Sequence, residues 1–138
     1  MEIKNKNVII TGAAQGIGKA LSFVFAEKGA NLILVDIDSE GLKELEKELS
    51  KLYHNETPVR AFRADLTNTK EIENFVEDTN KNYSQISVLI NNAGMGIYES
   101  LEKLELSAWE KALALDVTAP FLLIKMLLPI SSKKTVKT

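Results

Sequence analysis

A glycine-rich segment, TGAAQGIG at residues 11–18, joins a short apolar run to a stretch with helical periodicity. The apolar run before it, residues 8–11, has the length and composition of a buried strand. The stretch after it, residues 16–28, places a set of apolar residues on one helical face: Ile17, Leu21, Val24 and Phe25. The chain is therefore predicted to open with a strand, a tight glycine turn and a helix.

The alternation of apolar runs with helical stretches continues along the chain. Further runs that predict strands lie at residues 32–35, 59–63 and 88–90. Apolar residues recur at helical spacing between them, and a long apolar helix is predicted over residues 108–128. Asn68 with Glu71, and Ser107 with Glu110, have the spacing of capping boxes at the starts of the last two helices. The predicted order of elements is βαβαβαβα.

This order of elements indicates the class of fold. Strands that are apolar throughout and separated by helices predict a parallel sheet with helices on both faces. We predict an α/β domain with a doubly wound parallel sheet, the Rossmann fold, with strand order 3-2-1-4 over residues 1–129. Residues 130–138 are predicted to form a disordered polar tail.

Three glycines give the first turn the properties of a phosphate-binding loop. Gly12 lets the chain turn sharply off the strand, Gly16 lets the backbone approach a pyrophosphate, and Gly18 allows the helix to pack closely on the sheet. The free N–H groups and partial positive charge of the helix N-terminus favour a bound phosphate. The alternative is a glycine-rich turn without a ligand. The segment is not a Walker loop, because no Gly-Lys-Ser/Thr follows it.

Composition narrows the partners of the chain. Its 138 residues, 45% of them hydrophobic, suffice for one domain with a core, and the net charge of -2 does not predict nucleic acid or an anionic membrane as a partner. The absence of cysteine excludes disulfides and thiolate metal sites, and it suits a cytoplasmic protein. A lone His54 predicts no metal site. Residues 117–130 are too short and too interrupted to predict a membrane span.

Three motifs, in this order along the chain, resemble those of the short-chain dehydrogenase/reductase family. They are Thr-Gly-x-x-x-Gly-x-Gly at residues 11–18, Asp65-Leu66 after the third strand, and Asn91-Asn92-Ala93-Gly94 after the fourth. The resemblance covers residue 6 to about residue 129, and it implies an oxidoreductase in which Asp65 and Leu66 contact the adenine of a nicotinamide cofactor. The predicted cofactor-binding residues are Gly12, Gln15, Gly16, Ile17, Gly18, Asp36, Asp65, Leu66, Asn91, Asn92, Ala93 and Gly94.

Asp36 bears on the choice between NAD and NADP. A carboxylate at the end of the second strand accepts hydrogen bonds from the adenosine ribose hydroxyls and repels a 2′-phosphate. Relatives that prefer NADP usually have Arg or Lys nearby, whereas this chain has Gln15 and Ile37. The alternative is that Asp36 begins an ordinary solvated turn. We predict NAD as the cofactor.

The resemblance also implies catalytic groups that this sequence lacks. Family members use a Tyr as proton donor or acceptor, and a Lys four residues later lowers the Tyr pKa from its ordinary value of about 10. Tyr53, Tyr83 and Tyr98 each have a residue other than Lys at that spacing, and all three are predicted to serve in packing. Asp116 stands where the family has an Asn in its long helix. No catalytic residue is therefore predicted.

These features together predict the NAD(H)-binding portion of a short-chain dehydrogenase/reductase-like oxidoreductase that lacks the later strands and helices of the family. NAD(H) is the expected partner, with an alcohol or carbonyl substrate only if a complete catalytic half exists. The alternatives are a catalytically inactive nucleotide-binding or interaction module, and an inert folded remnant.

The long helix predicts that the chain associates with itself. Leu113, Val117, Ile124 and Leu128 line one side of this helix, while further apolar residues lie away from it: Leu115, Leu122, Met126 and Leu127. One sheet face cannot bury all of them, and the fourth strand is expected to leave an open sheet edge. We therefore expect a homo-oligomer.

Overall fold

The computed structural model describes residues 2–53 and 57–131. The elements are β1 (Asn7–Thr11), α1 (Gly16–Glu27), β2 (Asn31–Asp36), α2 (Ser39–Tyr53), β3 (Val59–Arg63), α3 (Thr69–Asn82), β4 (Val88–Ile90), α4 (Leu106–Leu113), a π-helical segment (Ala114–Thr118) and α5 (Ala119–Ser131). His54 and the greater part of the predicted polar tail, residues 132–138, lie outside the described residues.

The four strands form one parallel sheet in the order β3-β2-β1-β4. In the central strand β1, Ile9 lies opposite Ile33 of β2 on one side and Leu89 of β4 on the other. The predicted doubly wound sheet with strand order 3-2-1-4 is therefore confirmed.

Alternate residues of the strands build a separate core on each face of the sheet, because successive side chains of a strand point to opposite faces. Val8 and Ile10 belong to a core completed by α1 and α2, which contribute Ala26, Leu42, Leu45 and Leu49. Ile9 belongs to the opposite core, to which α3 and α5 contribute Ile72, Phe75, Val76, Leu123 and Leu127. Helices thus cover both faces, as the solidly apolar strands predict.

The two predicted capping boxes have different outcomes. Asn68 caps α3, since its side chain accepts the N–H groups of Lys70 and Glu71 at 2.9 and 3.4 Å. The Glu71 carboxylate accepts the N–H of Asp65 rather than that of the cap residue, so half of this box forms. The box at Ser107 is wrong, because α4 begins at Leu106 and its N-cap residue, Glu105, makes no side-chain capping bond.

The long helix extends further than predicted. Helix α4, the π-helical segment and α5 are continuous over residues 106–131, whereas the sequence predicted 108–128. Ile130 is buried against the core, and the Ser131 hydroxyl donates to the Leu127 carbonyl at 3.0 Å. Residues 130 and 131, which were predicted to belong to the tail, are therefore part of α5, because Ile130 is an apolar member of the core face.

By length and composition this helix is also sufficient to cross a membrane, with a mean hydropathy of 1.8 in its most apolar window. The sequence analysis predicted no membrane span for residues 117–130, but this stretch is shorter than the helix in the structure. In the structure the helix packs against the sheet through Ala119, Leu123, Leu127 and Ile130. A helix that packs in the core of a folded domain can be equally long and apolar, so length and composition do not by themselves indicate a membrane span.

The two edges of the sheet are protected differently. At β3, the N–H of Ala61 donates to the Glu46 carboxylate at 3.1 Å, and Arg60 forms a bidentate ion pair with Asp78. Strand β4 has three half-buried residues and pairs only with β1 among the described strands. The expected open edge is therefore present at β4.

Candidate nucleotide-binding site

A cleft of about 380 Å³ opens where the four strands end. The predicted residues that line it are Gly12, Gln15, Asp36, Asp65, Leu66, Asn92, Ala93 and Gly94. Gly16, Ile17 and Gly18 lie beside it in the first turn of α1, and Asn91 is an exposed residue directly after β4. In doubly wound sheets, ligands bind at the carboxyl ends of the strands where the strand order reverses, which here is between β1 and β4.

The glycine turn leaves room where a phosphate would bind. Gly16 has a φ of 55°, and a Cβ built on it would meet no atom within 4 Å. A Cβ on Gly12 would lie 2.9 Å from the Ala93 Cα, and one on Gly18 would collide with the Gly12 carbonyl. Gly18 is therefore required because a side chain there would collide with the turn. At Gly16 no protein atom fills the space beside the helix N-terminus, where a ligand could approach. These features fit a bound pyrophosphate.

The N-terminus of α1 supplies donors for an anion. Its N-cap residue, Gln15, makes no side-chain capping bond, and the first turn contains no acidic residue. The first N–H groups of a helix have no partner within the helix, and the helix dipole favours negative charge at this end. The exposed Ile17 follows directly in this turn.

Hydrogen bonds fasten the loop after β4 to the glycine turn. The buried Thr11 hydroxyl accepts the N–H groups of Asn92 and Ala93, each at 3.0 Å. In return the Asn92 side chain donates to the carbonyls of Thr11 and Gly12 at 3.0 and 3.1 Å. Asn92 therefore uses its amide to shape the cleft. The sequence analysis did not predict Thr11 as a site residue, although Thr11 is the first residue of the Thr-Gly-x-x-x-Gly-x-Gly motif.

Backbone N–H groups hold the Asp36 carboxylate in place at the end of β2. One oxygen accepts the N–H of Ala14 and the other that of Asp38, both at 3.0 Å. Asp36 and its neighbour Ile37 line the cleft together with Gly12 and Gln15. A negative charge is thus held beside the glycine turn.

A second carboxylate, that of Asp65, stands on the β3 side of the cleft. It accepts the N–H and the hydroxyl of Thr67 at 2.9 and 2.7 Å. These hydrogen bonds, with smaller contributions from the charges of Arg63 and Lys111, lower the pKa of Asp65. It is therefore ionised at neutral pH, next to the buried Leu66.

Asp116 lies in the π-helical segment and contacts the loop after β4, which lines the other end of the cleft. Its Oδ1 accepts the N–H of Met95 at 2.9 Å, and a Cβ on Gly94 would lie 3.3 Å from the same oxygen. π-Helical turns are rare and occur frequently at functional sites. Asp116 also borders a second, mostly apolar cavity of about 290 Å³, together with Met95, Ile97, Trp109, Ala112, Leu113 and Val117.

The three tyrosines lie outside the residues that line the cleft. The Tyr53 hydroxyl donates to the Phe23 carbonyl at 3.5 Å. Tyr83 packs against the core of α3 and α5, and burial raises its pKa. Tyr98 is fully exposed, so the prediction that it serves in packing is wrong. Its loop, residues 91–105, carries no regular secondary structure that would bury it.

The glycine turn, the helix N-terminus and the cleft define a nucleotide-binding domain of the doubly wound class. A family model described as short chain dehydrogenase matches residues 6–136. The chain therefore belongs to the short-chain dehydrogenase/reductase family of oxidoreductases, whose members bind nicotinamide cofactors, and the resemblance inferred from the three motifs is confirmed.

Relatives and solved structures agree with this assignment. The chain is 34% identical over 125 residues to an NAD-dependent glycerol dehydrogenase of Listeria innocua, covering 91% of this chain and 47% of that protein. It is similar to the L-sorbose reductase of Gluconobacter frateurii in complex with NADPH and L-sorbose, with a TM-score of 0.88, 28% identity and coverage of 94% and 49%. A bulky-bulky ketone specific alcohol dehydrogenase of Comamonas testosteroni gives a TM-score of 0.82 at 30% identity, with coverage of 90% and 48%.

The chain matches only part of the length of these proteins. The chain spans about half the length of the glycerol dehydrogenase and of both structural neighbours. What the neighbours bind differs, since the relative from Listeria is described as NAD-dependent and the sorbose reductase was solved with NADPH.

Proposed function

We propose that this chain binds NAD(H) in the cleft between β1 and β4, as the nucleotide-binding portion of an oxidoreductase. The observation that carries the proposal is the Asp36 carboxylate, held by two backbone N–H groups beside a glycine turn with open space at Gly16. The turn suits the pyrophosphate, and the carboxylate suits the ribose hydroxyls of the adenosine half.

The remaining residues divide the cleft into two ends. Asp65 and Leu66 lie on the β3 side, beyond Asp36, where the adenine would be held. Gly94 and Met95 lie after β4, on the opposite side of the glycine turn, which leaves this end for the nicotinamide. The cleft thus offers a place for each part of the dinucleotide.

Asp36 also supports a preference for NAD over NADP. The 2′-phosphate of NADP would bring further negative charge toward a fixed carboxylate, and repulsion between like charges opposes this. Gln15 and Ile37, the neighbouring residues that line the cleft, carry no positive charge to offset it. One structural neighbour was solved with NADPH, so the fold does not by itself decide between the two cofactors, and the preference for NAD rests on Asp36.

Isothermal titration calorimetry with NAD and NADP tests the proposal. We expect NAD to bind more tightly, and we expect Asp36→Ala to narrow the difference by removing the repulsion. Glu40→Gln is the matched control, because it removes a charge from an exposed side chain at the start of α2 and should leave the preference unchanged. Equal affinities for the two cofactors, or a preference for NADP, would contradict the assignment.

A bound nicotinamide accepts or donates a hydride, and the family suggests an alcohol or carbonyl as its partner. This sequence holds no Tyr-x-x-x-Lys pair to move the accompanying proton. General acid–base catalysis typically contributes about 10²–10⁴-fold to a rate. We therefore expect this chain alone to bind cofactor without turnover, which assays of NADH oxidation with a panel of carbonyl compounds would check.

A nucleotide-binding or interaction module without catalytic activity is the second candidate. Asp116 favours it, since a charged carboxylate occupies the place where the family has an Asn. Exposed apolar residues along α4 and α5 favour it as well, because they offer a surface for association with a second copy. Cofactor binding without turnover by a protein that includes the remaining family elements would support this candidate over the oxidoreductase.

A further inference from the structure

The Asp116 carboxylate lies between the cleft and the second cavity. It accepts the N–H of Met95, and Met95 lines both spaces. The carboxylate is exposed, and among residues 2–53 and 57–131 it forms no salt bridge. The carboxylate therefore stands beside the Met95 end of the cleft, just outside the residues that line it, without an ion-pair partner among the described residues.

The two carboxylates that line the cleft, those of Asp36 and Asp65, lie at the ends of β2 and β3, away from the loop after β4. Asp36 is bound by backbone N–H groups at the end of β2. Asp65 is close enough to Lys111 for the lysine charge to contribute to lowering its pKa. Lys111 lines the cleft as well and acts on the β3 side through Asp65, whereas Asp116 is bonded to the Met95 N–H at the other end.

Under the proposed function, the Met95 end receives the nicotinamide. The nicotinamide ring is cationic in NAD+ and neutral in NADH, while the rest of the two molecules is the same. A nearby carboxylate attracts the oxidised ring by Coulomb interaction and has no such attraction for the reduced ring.

We propose that Asp116 biases this site toward the oxidised cofactor, so that it acts as a specificity-determining residue for the redox state of NAD. The inference rests on the proposed binding of NAD(H). Since Asp116 is exposed, solvent screening limits the effect, and we expect a change of about two- to fivefold in the ratio of the two affinities.

The test compares Asp116→Asn with the unmodified protein in titrations of NAD+, NADH and ADP-ribose. An Asn keeps an oxygen that accepts the Met95 N–H and removes the charge. We expect the variant to lose affinity for NAD+ relative to NADH and to keep its affinity for ADP-ribose, which has no nicotinamide. Glu110→Gln is the control, because it removes a charge from α4 at a position outside the lining of both cavities.

A salt titration of the unmodified protein gives a second test that does not depend on any variant folding. NAD+ and NADH carry the same pyrophosphate, so the salt dependence of pyrophosphate binding cancels in the ratio of their affinities. The preference for NAD+ over NADH should then shrink as salt screens the Asp116 charge. A ratio that a folded Asp116→Asn variant leaves unchanged, or a ratio of the unmodified protein that does not respond to salt, would overturn the inference while leaving cofactor binding intact. Failure of ADP-ribose, NAD+ and NADH all to bind would instead overturn the proposed function, and with it this inference.

Discussion

Thr11 and Asn92 are joined by reciprocal hydrogen bonds that hold the two loops of the cleft together. The Thr11 hydroxyl accepts the backbone N–H of Asn92 at 3.0 Å, and the Asn92 side chain donates to the Thr11 carbonyl at 3.0 Å. The two residues are 81 positions apart in the sequence. Their contact fixes the loop after β4 against the turn after β1, on opposite sides of the point where the strand order reverses.

Replacing Thr11 by Val should destabilise the domain. The variant keeps the side-chain shape but removes the buried acceptor, which leaves the Ala93 N–H without its partner, while the Asn92 N–H keeps its bond to the Ile90 carbonyl. An unsatisfied buried donor costs about 1–3 kcal/mol, so the free energy of unfolding should fall by that amount. Urea denaturation measures it. Asn91→Ala, at an exposed neighbouring position, should change it by less than about 0.5 kcal/mol.

Gly16 and Gly18 should respond differently to substitution by Ala. At Gly18 the new Cβ would collide with the Gly12 carbonyl, so the turn must deform and the folded domain should be strongly destabilised. At Gly16 the Cβ meets open space, and the positive φ of 55° costs only about 1–2 kcal/mol. Gly16→Ala should therefore fold and yet bind ADP-ribose more weakly, because its methyl group projects beside the proposed pyrophosphate site. Thermal unfolding and calorimetry separate the two effects, and undiminished ADP-ribose binding by Gly16→Ala would argue against that site.

The stability of the domain should depend on the ionisation of Asp65. Hydrogen bonds from Thr67 lower its pKa below the ordinary value of 3.8, so the folded state favours the carboxylate. The resulting stabilisation is present above pH 3.8 and is lost as the pH falls through the lower folded-state pKa. We expect the stability difference between the unmodified protein and Asp65→Asn to shrink on acidification below pH 4, by about 1 kcal/mol or less because the group is only partly buried. Urea denaturation at pH 7 and pH 3 would reveal it, and a difference that stays constant would contradict this origin.

Local patterns in the sequence were sufficient to predict the sheet order and most of the cleft. Apolar runs and glycine spacing depend on residues close in sequence, so the strand at residues 8–11 and the turn with Gly12 and Gly18 can be identified from the sequence alone. The Thr11–Asn92 bonds connect distant segments, and no local pattern indicates them. The same holds for the Asp116–Met95 contact, whose π-helical geometry has no established sequence signal.

Two ends of the long helix differ from the prediction because local sequence signals do not determine them. The start at Leu106 lacks a side-chain cap, so the capping pattern at Ser107 pointed to the wrong residue. Ile130 follows Pro129 and precedes polar residues, which suggests a tail from sequence alone. Its burial against the sheet core extends the helix, which shows tertiary packing overriding a local signal.

The exposed apolar face of the long helix should cause the chain to associate with itself. A row of side chains at helical spacing remains 40–59% exposed along one face: Leu113, Val117, Phe121, Ile124 and Leu128. Water contact with such a continuous apolar face is unfavourable, and burying it against a second copy removes that cost. We expect a dimer or larger assembly in sedimentation velocity experiments at micromolar concentration.

Two variants with equal exposure test whether this face carries the association. Leu128 on α5 and Leu52 on α2 are each 59% exposed, so changing either to Glu adds the same charge at a similarly accessible position. Leu128→Glu should shift the population toward monomer, because it places a charge within the apolar row, where association would desolvate it. Leu52→Glu should leave the assembly unchanged. An unmodified protein that sediments as a monomer, or an equal response of the two variants, would show that this face does not mediate association.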